Sequence, residues 1–379
     1  MSPAMANAMT TSSCKPSDGQ LESQLYHKGV KQLCDNGITK VPYKYILPVP
    51  ERPSSISDGR SSAKHHNLKL PVIDFSELKG LNRSQAVKSL ADACEQYGFF
   101  QLVNHGIPMD VINNMIDVSR RFFELPFEER SKYMSSDMRA PVRYGTSFNQ
   151  SKDKVFCWRD FLKVMSNSSS DVHWPSSPID FRGLAATYAK ETKHLFLMIM
   201  EAILEGLLGT TEEDKTKENE VILEEFEDGS QLMVVNCYPP CPEPDLTLGM
   251  PPHSDYGFLT LLLQDEVEGL QIQHNQKWLT VEPIPNAFVI NVGDHLEIFS
   301  NGRYKSVLHR VLVNSTAYRV SVASLHSLSL MSMVKPWPRL IDEENPRRYK
   351  DTNFATFLEY ISTREPKHKD FLESRKLYS

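Results

Sequence analysis

Three places in the chain set a histidine two residues ahead of a carboxylate: His253-Ser254-Asp255, His295-Leu296-Glu297 and His368-Lys369-Asp370. With 12 His and 48 acidic residues among 379, chance supplies roughly 1.5 such pairs. The surroundings therefore decide. His368 sits in a polar tail, EPKHKDFLESRK, and reads as solvated surface. His295 stands beside the turn residues Ser300, Asn301 and Gly302, where Asp294 or Glu297 serves a structural role equally well. His253 follows Pro251-Pro252 and precedes GFLTLLLQ, an apolar run of strand length. On extended backbone residues i and i+2 share a face, so His253 and Asp255 can reach one metal ion.

A third histidine, His309, lies in KSVLHRVLV, a strand-like run followed after Asn314 to Ala317 by a second, YRVSVASL. This pattern predicts a hairpin. In a register that pairs residues of even sum, His309, Arg319 and Ser321 all face one side, but the residues leave that register open. An inward-facing Arg needs an anion, and its planar fork suits a carboxylate held through two parallel hydrogen bonds. An internal ion pair with Asp294 or Glu297 is the alternative, and the sequence does not choose. His253, Asp255 and His309 together leave three positions of an octahedral metal open, the donor set of non-haem Fe(II) centres. A structural zinc site would close with a fourth protein ligand.

The elements that must position these groups fall in two textures. From Ser230 onward, QLMVVNCY, GFLTLLLQD, GLQIQH, KWLTVEPI, AFVINVGDH, KSVLHRVLV and YRVSVASL give seven or eight short strands punctuated by Gly, Pro and Asn. That is the signature of an antiparallel double sheet or barrel. The segment before it is mixed. LPVIDF and FFQLVNHGI read as strands, and NRSQAVKSLADACEQYG repeats apolar residues at helical spacing with Gly98 at its stop. DVINNMIDVSRRFFE reads as a long helix with a second after Pro126, and another helix runs from Phe181 to Leu208. Glu201 and Glu205 break the apolar run of that last helix, which reads as mostly buried rather than membrane-spanning. TEEDKTKENE is expected as a charged surface stretch. Residues 139–175 read as irregular, and their aromatics Tyr144, Phe148, Phe156 and Trp158 either wall a small-molecule pocket or pack under the loop. His105, at a strand–turn boundary without a nearby carboxylate, is expected to cap or pack.

Composition bounds the rest. The chain is 40% hydrophobic and 24% charged with a net charge of −6, and its dispersed Lys and Arg give no footprint for nucleic acid. The six cysteines form no CxxC pair, which predicts reduced thiols; a metal role for Cys237 and Cys241 is disfavoured. The expected divisions are a disordered leader over 1–24, an arm and linker over 25–69, a mixed α/β region over 70–225, a catalytic core over 226–335, and a C-terminal helix and basic tail over 336–379. His65-His66, inside the polar linker, reads as surface. Neither a secretory nor a transit signal is evident in the leader.

PVIDF, YGFFQLVNHGI, FFELPFEE, NCYPPCPEP, His253-Ser254-Asp255, GLQIQ, NVGDHLEIFSNGRYKSVLHRV and RVSVAS occur here in order. Through them the sequence, over about residues 25–375, resembles the plant soluble 2-oxoglutarate- and Fe(II)-dependent dioxygenases of hormone and specialised metabolism. The resemblance implies a mainly β fold: a double-stranded β-helix (jelly-roll) core with flanking helices. It implies Fe(II) held by His253, Asp255 and His309. It implies that 2-oxoglutarate is anchored by Arg319 and Ser321, with Tyr238 as a further carboxylate partner and Asn236 close by. Dioxygen would be consumed as 2-oxoglutarate is decarboxylated to succinate, with oxidation of a small molecule, usually hydroxylation, and with ascorbate as reductant. A monomeric cytoplasmic enzyme is expected, with nuclear access left open and with no nucleic-acid or membrane partner.

Two positions depart from the pattern of flavonoid-acting members: Leu325 stands where they often place Phe, and Val234 where some carry Lys. Both are read as pocket residues. They favour a more aliphatic substrate, such as a gibberellin-like terpenoid, over a flavonoid, phenolic or alkaloid one. Two further readings stay open on the sequence: a catalytically silent ligand-binding protein on the same barrel, and an oxidase that uses the iron without 2-oxoglutarate.

Overall fold

The computed structural model describes residues 28–53, 69–148, 150, 153–166, 174–209, 215–363 and 369–377. The expected leader, nearly all of the 52–68 linker with His65 and His66, and also Cys14 and His368, lie outside them. In chain order the arm carries helix α1 (Val30–Asp35). Strand β1 (Val72–Asp74), helix α2 (Arg83–Gln96) and strand β2 (Phe99–Val103) follow. Next come helices α3 (Met109–Glu124) and α4 (Phe127–Arg130), then strands β3 (Val142–Thr146) and β4 (Asp160–Ser166). Helices α5 (Phe181–Leu208) and α6 (Lys215–Glu227) lead into the β-rich half. That half holds β5 (Gln231–Tyr238), β6 (Met250–His253), β7 (Leu259–Gln264), β8 (Leu270–His274), β9 (Lys277–Thr280) and β10 (Phe288–Val292). Helix α7 (Asp294–Phe299), β11 (His309–Val311), β12 (Arg319–His326), α8 (Phe354–Thr363) and α9 (Asp370–Arg375) complete it.

Two sheets result. The larger runs β1-β2-β10-β7-β12-β5-β4-β3 and the smaller β6-β11-β8-β9. Every pairing is antiparallel except β1 with β2. Strand β6 was missed by sequence reading because Pro251 and Pro252 lack the N–H a ladder needs. It survives as the edge strand of the smaller sheet, where prolines are tolerated.

Three expectations need correction. The run containing His309 and the run containing Arg319 do not form a hairpin. Strand β11 pairs with β6 and β8, whereas β12 pairs with β5 and β7. The short link between them crosses from one sheet to the other, as a sandwich allows when two consecutive strands feed opposite layers. Residues 139–175 are not wholly irregular, since they carry β3 and β4 in register. The charge-rich stretch, whose last residue Glu220 is exposed, runs into α6, and beyond it Ile222 and Phe226 are buried; Phe226 packs edge-on against Phe196 at 5.4 Å. The tail folds back as α9 with Phe371 and Leu372 buried.

The helices cover the outer face of the larger sheet. Helix α2 buries Ala86, Val87, Leu90, Ala93 and Cys94, and α3 buries Ile112, Met115, Val118 and Phe122, the i, i+3, i+4 stripes their sequences show. Gly98, at φ +63°, reverses the chain from α2 into β2 where a Cβ would lie 2.1 Å from the Lys305 carbonyl oxygen. No helix among the described residues is long and apolar enough to cross a membrane.

The arm is fastened to the sheet by one carboxylate. Asp160, at the start of β4, accepts hydrogen bonds from the backbone N–H of Val30 at 2.7 Å and of Lys31 at 3.0 Å, the open end of α1. It also accepts from the Tyr144 hydroxyl at 3.1 Å, and Arg130 lies 3.9 Å away. Replacing Asp160 by Ala leaves a buried guanidinium and two N–H groups without their acceptor. Asp160→Ala is expected to lower unfolding stability by about 3 kcal/mol or more, read as a shifted urea midpoint; a wild-type midpoint would contradict this anchoring.

Candidate active site

The two sheets face each other across a cavity lined by alternate residues of their strands. His253 ends β6, and His309 begins β11 directly opposite it in register. Their rings lie 4.1 Å apart between centroids. The Asp255 Oδ1 atom stands 3.8 Å from Nε2 of each. One donor atom from each of the three falls within 4.8 Å of the others, a spacing one ion could bridge.

The second contacts of these groups orient them. Nδ1 of His253 donates to the Pro251 carbonyl at 2.8 Å, and Nδ1 of His309 faces the Val307 carbonyl at 3.2 Å. A proton held on Nδ1 leaves the Nε2 lone pairs directed at the gap. Oδ2 of Asp255 accepts from the Thr260 hydroxyl at 2.6 Å and the Asn291 amide at 2.9 Å, and Oδ1 faces the histidines. Burial, followed by the neighbouring His309, holds the His253 imidazole well below its ordinary pKa. Burial alone would raise the Asp255 carboxyl, but His309, His253 and the two hydrogen bonds outweigh it and carry it below its usual value. Both groups are therefore in the deprotonated form a metal requires.

The larger sheet supplies the second half of the site. Arg319 is in register with Tyr238, and Ser321 with Asn236. Strand alternation turns all four toward the cavity. Arg319 is 2% exposed. Its Nε donates to the Val267 carbonyl at 3.1 Å and one terminal nitrogen to Gln264 Oε1 at 2.8 Å, while the other terminal nitrogen, Nη1, is buried without a partner. The guanidinium sits 5.1 Å from the Tyr238 ring centroid. An orphaned buried donor on a cation is the feature that an incoming carboxylate would satisfy. The ion pair with Asp294 or Glu297 left open by the sequence is absent. Asp294 accepts from Ser306 and Ser254, and Glu297 from Tyr349, the Ser306 N–H and Lys369.

His295 is buried in α7 with Nδ1 against the Ser327 hydroxyl at 2.8 Å, and burial pushes its pKa down to about 3. His105 packs as expected: Nδ1 accepts the Ile107 N–H and Nε2 faces the Asn286 carbonyl.

The aromatics expected to wall the pocket divide. Phe148, Val234 and Leu325 line the cavity. Tyr144 does not; one residue out of phase with its cavity-facing neighbours Arg143 and Gly145, it points to the other face and packs with Phe122 and Phe123. Phe156 and Trp158 instead hold the N-terminal arm, each edge-on to Tyr45 at 5.6 and 5.5 Å. Sequence reading missed Thr260 and Asn291, which lie in apolar runs without a charge to mark them. It also missed Arg159, Phe161 and Lys163, which line the cavity from β4 and its approach; their alternation in WRDFLKV was the available signal. Helix α8 closes the apolar end with Phe354, Phe357, Leu358 and Ile361.

Asn291→Ala removes one of the two hydrogen bonds that hold Asp255. It is expected to weaken Fe(II) affinity by about 10–100-fold, measured by anaerobic metal titration. Unchanged affinity would show that Asp255 needs no such support.

Comparison with known proteins agrees with this geometry. Residues 229–327 match the model of the 2OG-Fe(II) oxygenase superfamily, and residues 70–180 match that of the non-haem dioxygenase in morphine synthesis N-terminal region. Protein DMR6-LIKE OXYGENASE 1 of Arabidopsis thaliana is 42% identical over 80% of this chain and 84% of its own length. Flavanone 3-dioxygenase 3 of Oryza sativa subsp. japonica is 39% identical over 83% of this chain and 96% of its own. The crystal structure of JOX2 in complex with 2OG, Fe and JA superposes with a TM-score of 0.80 at 31% identity, covering 92% of this chain and 98% of that one. With its jelly-roll core and its relatives matched along most of their length, this chain belongs to the plant dioxygenases of the 2OG-Fe(II) oxygenase superfamily.

Proposed function

We propose that His253, Asp255 and His309 hold Fe(II), that Arg319 and Ser321 hold the distal carboxylate of 2-oxoglutarate beside Tyr238 and Asn236, and that a small, largely apolar metabolite is hydroxylated in the cavity beyond them. The observation that carries this reading is the buried Nη1 of Arg319, a donor without a partner on the same cavity as the His-Asp-His cluster. Bound Fe(II) and 2-oxoglutarate supply the dioxygen-dependent oxidising chemistry. The chain's own residues supply its geometry. The histidines present their Nε2 atoms to the Asp255 Oδ1 side of the gap, and Asp255 offers one free oxygen. The Arg319 fork fixes one end of the co-substrate, so that its other end must point toward the metal cluster. The apolar wall formed by Leu325, Val234 and α8 keeps water away.

For the substrate, the relatives widen the range beyond a gibberellin-like terpenoid. One is named for action on flavanones, and another, Feruloyl CoA ortho-hydroxylase 2 of Arabidopsis thaliana, 38% identical over 88% of this chain, for action on feruloyl CoA. We therefore infer a plant hormone or specialised metabolite of compact, mainly apolar form rather than a terpenoid in particular.

His253→Ala or Asp255→Ala is expected to abolish substrate-dependent succinate release, and wild-type turnover in either would remove the ligand assignment. Arg319→Ala forfeits a charge-assisted pair of about 1.5–3 kcal/mol, so the 2-oxoglutarate concentration for half-maximal rate should rise by about 10–150-fold. A requirement equal to wild type would place the co-substrate elsewhere.

A further inference from the structure

The cavity face of the larger sheet is a grid whose rows can be read from register. One row runs from Ala323 on β12 to Val234 on β5, Lys163 on β4 and Arg143 on β3. The next holds Ser321, Asn236, Phe161 and Gly145 in the same strand order. All eight residues except Gly145 line the cavity. The first row changes character along its length: apolar near the metal, cationic at the far end. Two cations thus stand directly opposite each other on neighbouring strands, an arrangement that disfavours itself unless something negative sits over it.

A third cation adds to them. Arg159 approaches from the start of β4, and Arg143 and Arg159 flank the Phe161 ring, with guanidinium carbons 5.1 and 4.9 Å from its centroid. Gly145 leaves the room that ring occupies, since a Cβ there would meet it at 3.3 Å. Arg143 and Arg159 are 5% exposed, and Lys163 is only partly exposed. Yet among the described residues none of the three forms an ion pair. The hydrogen bonds of Arg143 go to the Ser135 and Phe148 carbonyls and that of Lys163 to the Met138 carbonyl. Arg159 donates to the Ser147 carbonyl and the Asn236 amide oxygen, and its Nε is buried without a partner. Asp153 and then Asp137 are the acidic groups that act on Arg143, and Asp137 acts on Lys163 as well, but Asp153 spends Oδ2 on Ser147 and the Phe148 N–H. The strain shows on the lysine: burial, then the charge of Arg143, pushes its pKa down to about 8.

Lys163 and Arg143 are too remote to serve the co-substrate, whereas Arg159, bonded to Asn236, stands between the two regions. Lys163 lies two strands and Arg143 three strands from the Arg319 strand, about 10 and 14 Å at the usual strand spacing. Resting on the reading of Arg319 as the 2-oxoglutarate anchor, we infer that the substrate itself is an organic acid. Its apolar body lies on Ala323, Val234 and Leu325 under α8, and its carboxylate meets Lys163 and Arg143, with Arg159 beside them. An acid held at that end of the row turns its opposite, apolar end toward the His-Asp-His cluster, which makes this pair a determinant of both substrate class and site of oxidation.

The test uses the anaerobic holoenzyme loaded with Fe(II) and 2-oxoglutarate, with binding read by calorimetry. The probes are cinnamate, 1-naphthaleneacetate and dodecanoate, each paired with its methyl ester. At least one acid should bind about tenfold or more tightly than its ester, and added salt should narrow the gap. Lys163→Met should remove most of that preference, Lys163→Arg should retain it, and Arg143→Gln provides an independent loss if Lys163→Met does not fold. A panel in which no acid binds more tightly than its ester overturns the inference, as does a preference that survives in both Lys163→Met and Arg143→Gln. Calorimetric binding of 2-oxoglutarate by the same samples separates the two levels. If it binds and acid preference is missing, the acid-substrate inference alone fails. If 2-oxoglutarate itself does not bind, the underlying co-substrate assignment fails as well.

Discussion

Two imidazoles placed opposite each other across the β6–β11 pair, 4.1 Å apart and tilted by 51°, are the constraint around which the rest is arranged. Burial and the closeness of the second ring disfavour a proton on His253, which leaves it ready to act as a ligand. Holding them costs the smaller sheet its regularity: β6 is an edge strand of two prolines, and the β6–β11 ladder shifts register after His309. What makes the arrangement stable is support from the opposite sheet. Asp255 leaves β6 and is caught by Thr260 on β7 and Asn291 on β10. One carboxylate thus ties the two sheets together at the point where the metal would sit, and its free oxygen is the one that faces both rings.

From that point the larger sheet works as a ruled surface. Alternation sends every second residue of β12, β5, β4 and β3 into the cavity, so function is laid out by strand and row. Arg319 and Tyr238 form the first row, Ser321 and Asn236 the second, and the apolar-to-cationic series ending at Lys163 and Arg143 the third. Helix α8 closes the apolar end, and Tyr256, the residue after the ligand Asp255, stacks on Phe357 of that helix at 4.9 Å. The lid is therefore packed directly against the metal-binding segment.

Much of this was legible in the sequence because it rests on short-range pattern. The His-x-Asp pair after a Pro-Pro turn, the alternating run that begins at Arg319, and the helices of Arg83–Gln96 and Phe181–Leu208 depend on periods of two and 3.6 residues. What was hidden depends on which strand lies beside which. The runs through His309 and Arg319 look like a hairpin because a short turn joins them, and nothing local says that the turn crosses between sheets. Tyr144 and Arg143 differ by one residue, and only the register of β3 on β4 decides which faces the cavity. Phe156 and Trp158 resembled pocket residues because an aromatic loop suits either a ligand or an N-terminal arm, and the arm claims them. Thr260 and Asn291 carry no local mark at all, since their role is set by a carboxylate that arrives from elsewhere in the chain.

The most direct measurement is an anaerobic titration of the full chain with Fe(II) and then 2-oxoglutarate, following the visible charge-transfer band of a chelated keto acid. The geometry predicts that the band grows to one equivalent of iron in the wild type and is lost in Asp255→Ala. Iron binding without any band in the wild type, or an undiminished band in Asp255→Ala, would contradict a single site shared by the two sheets.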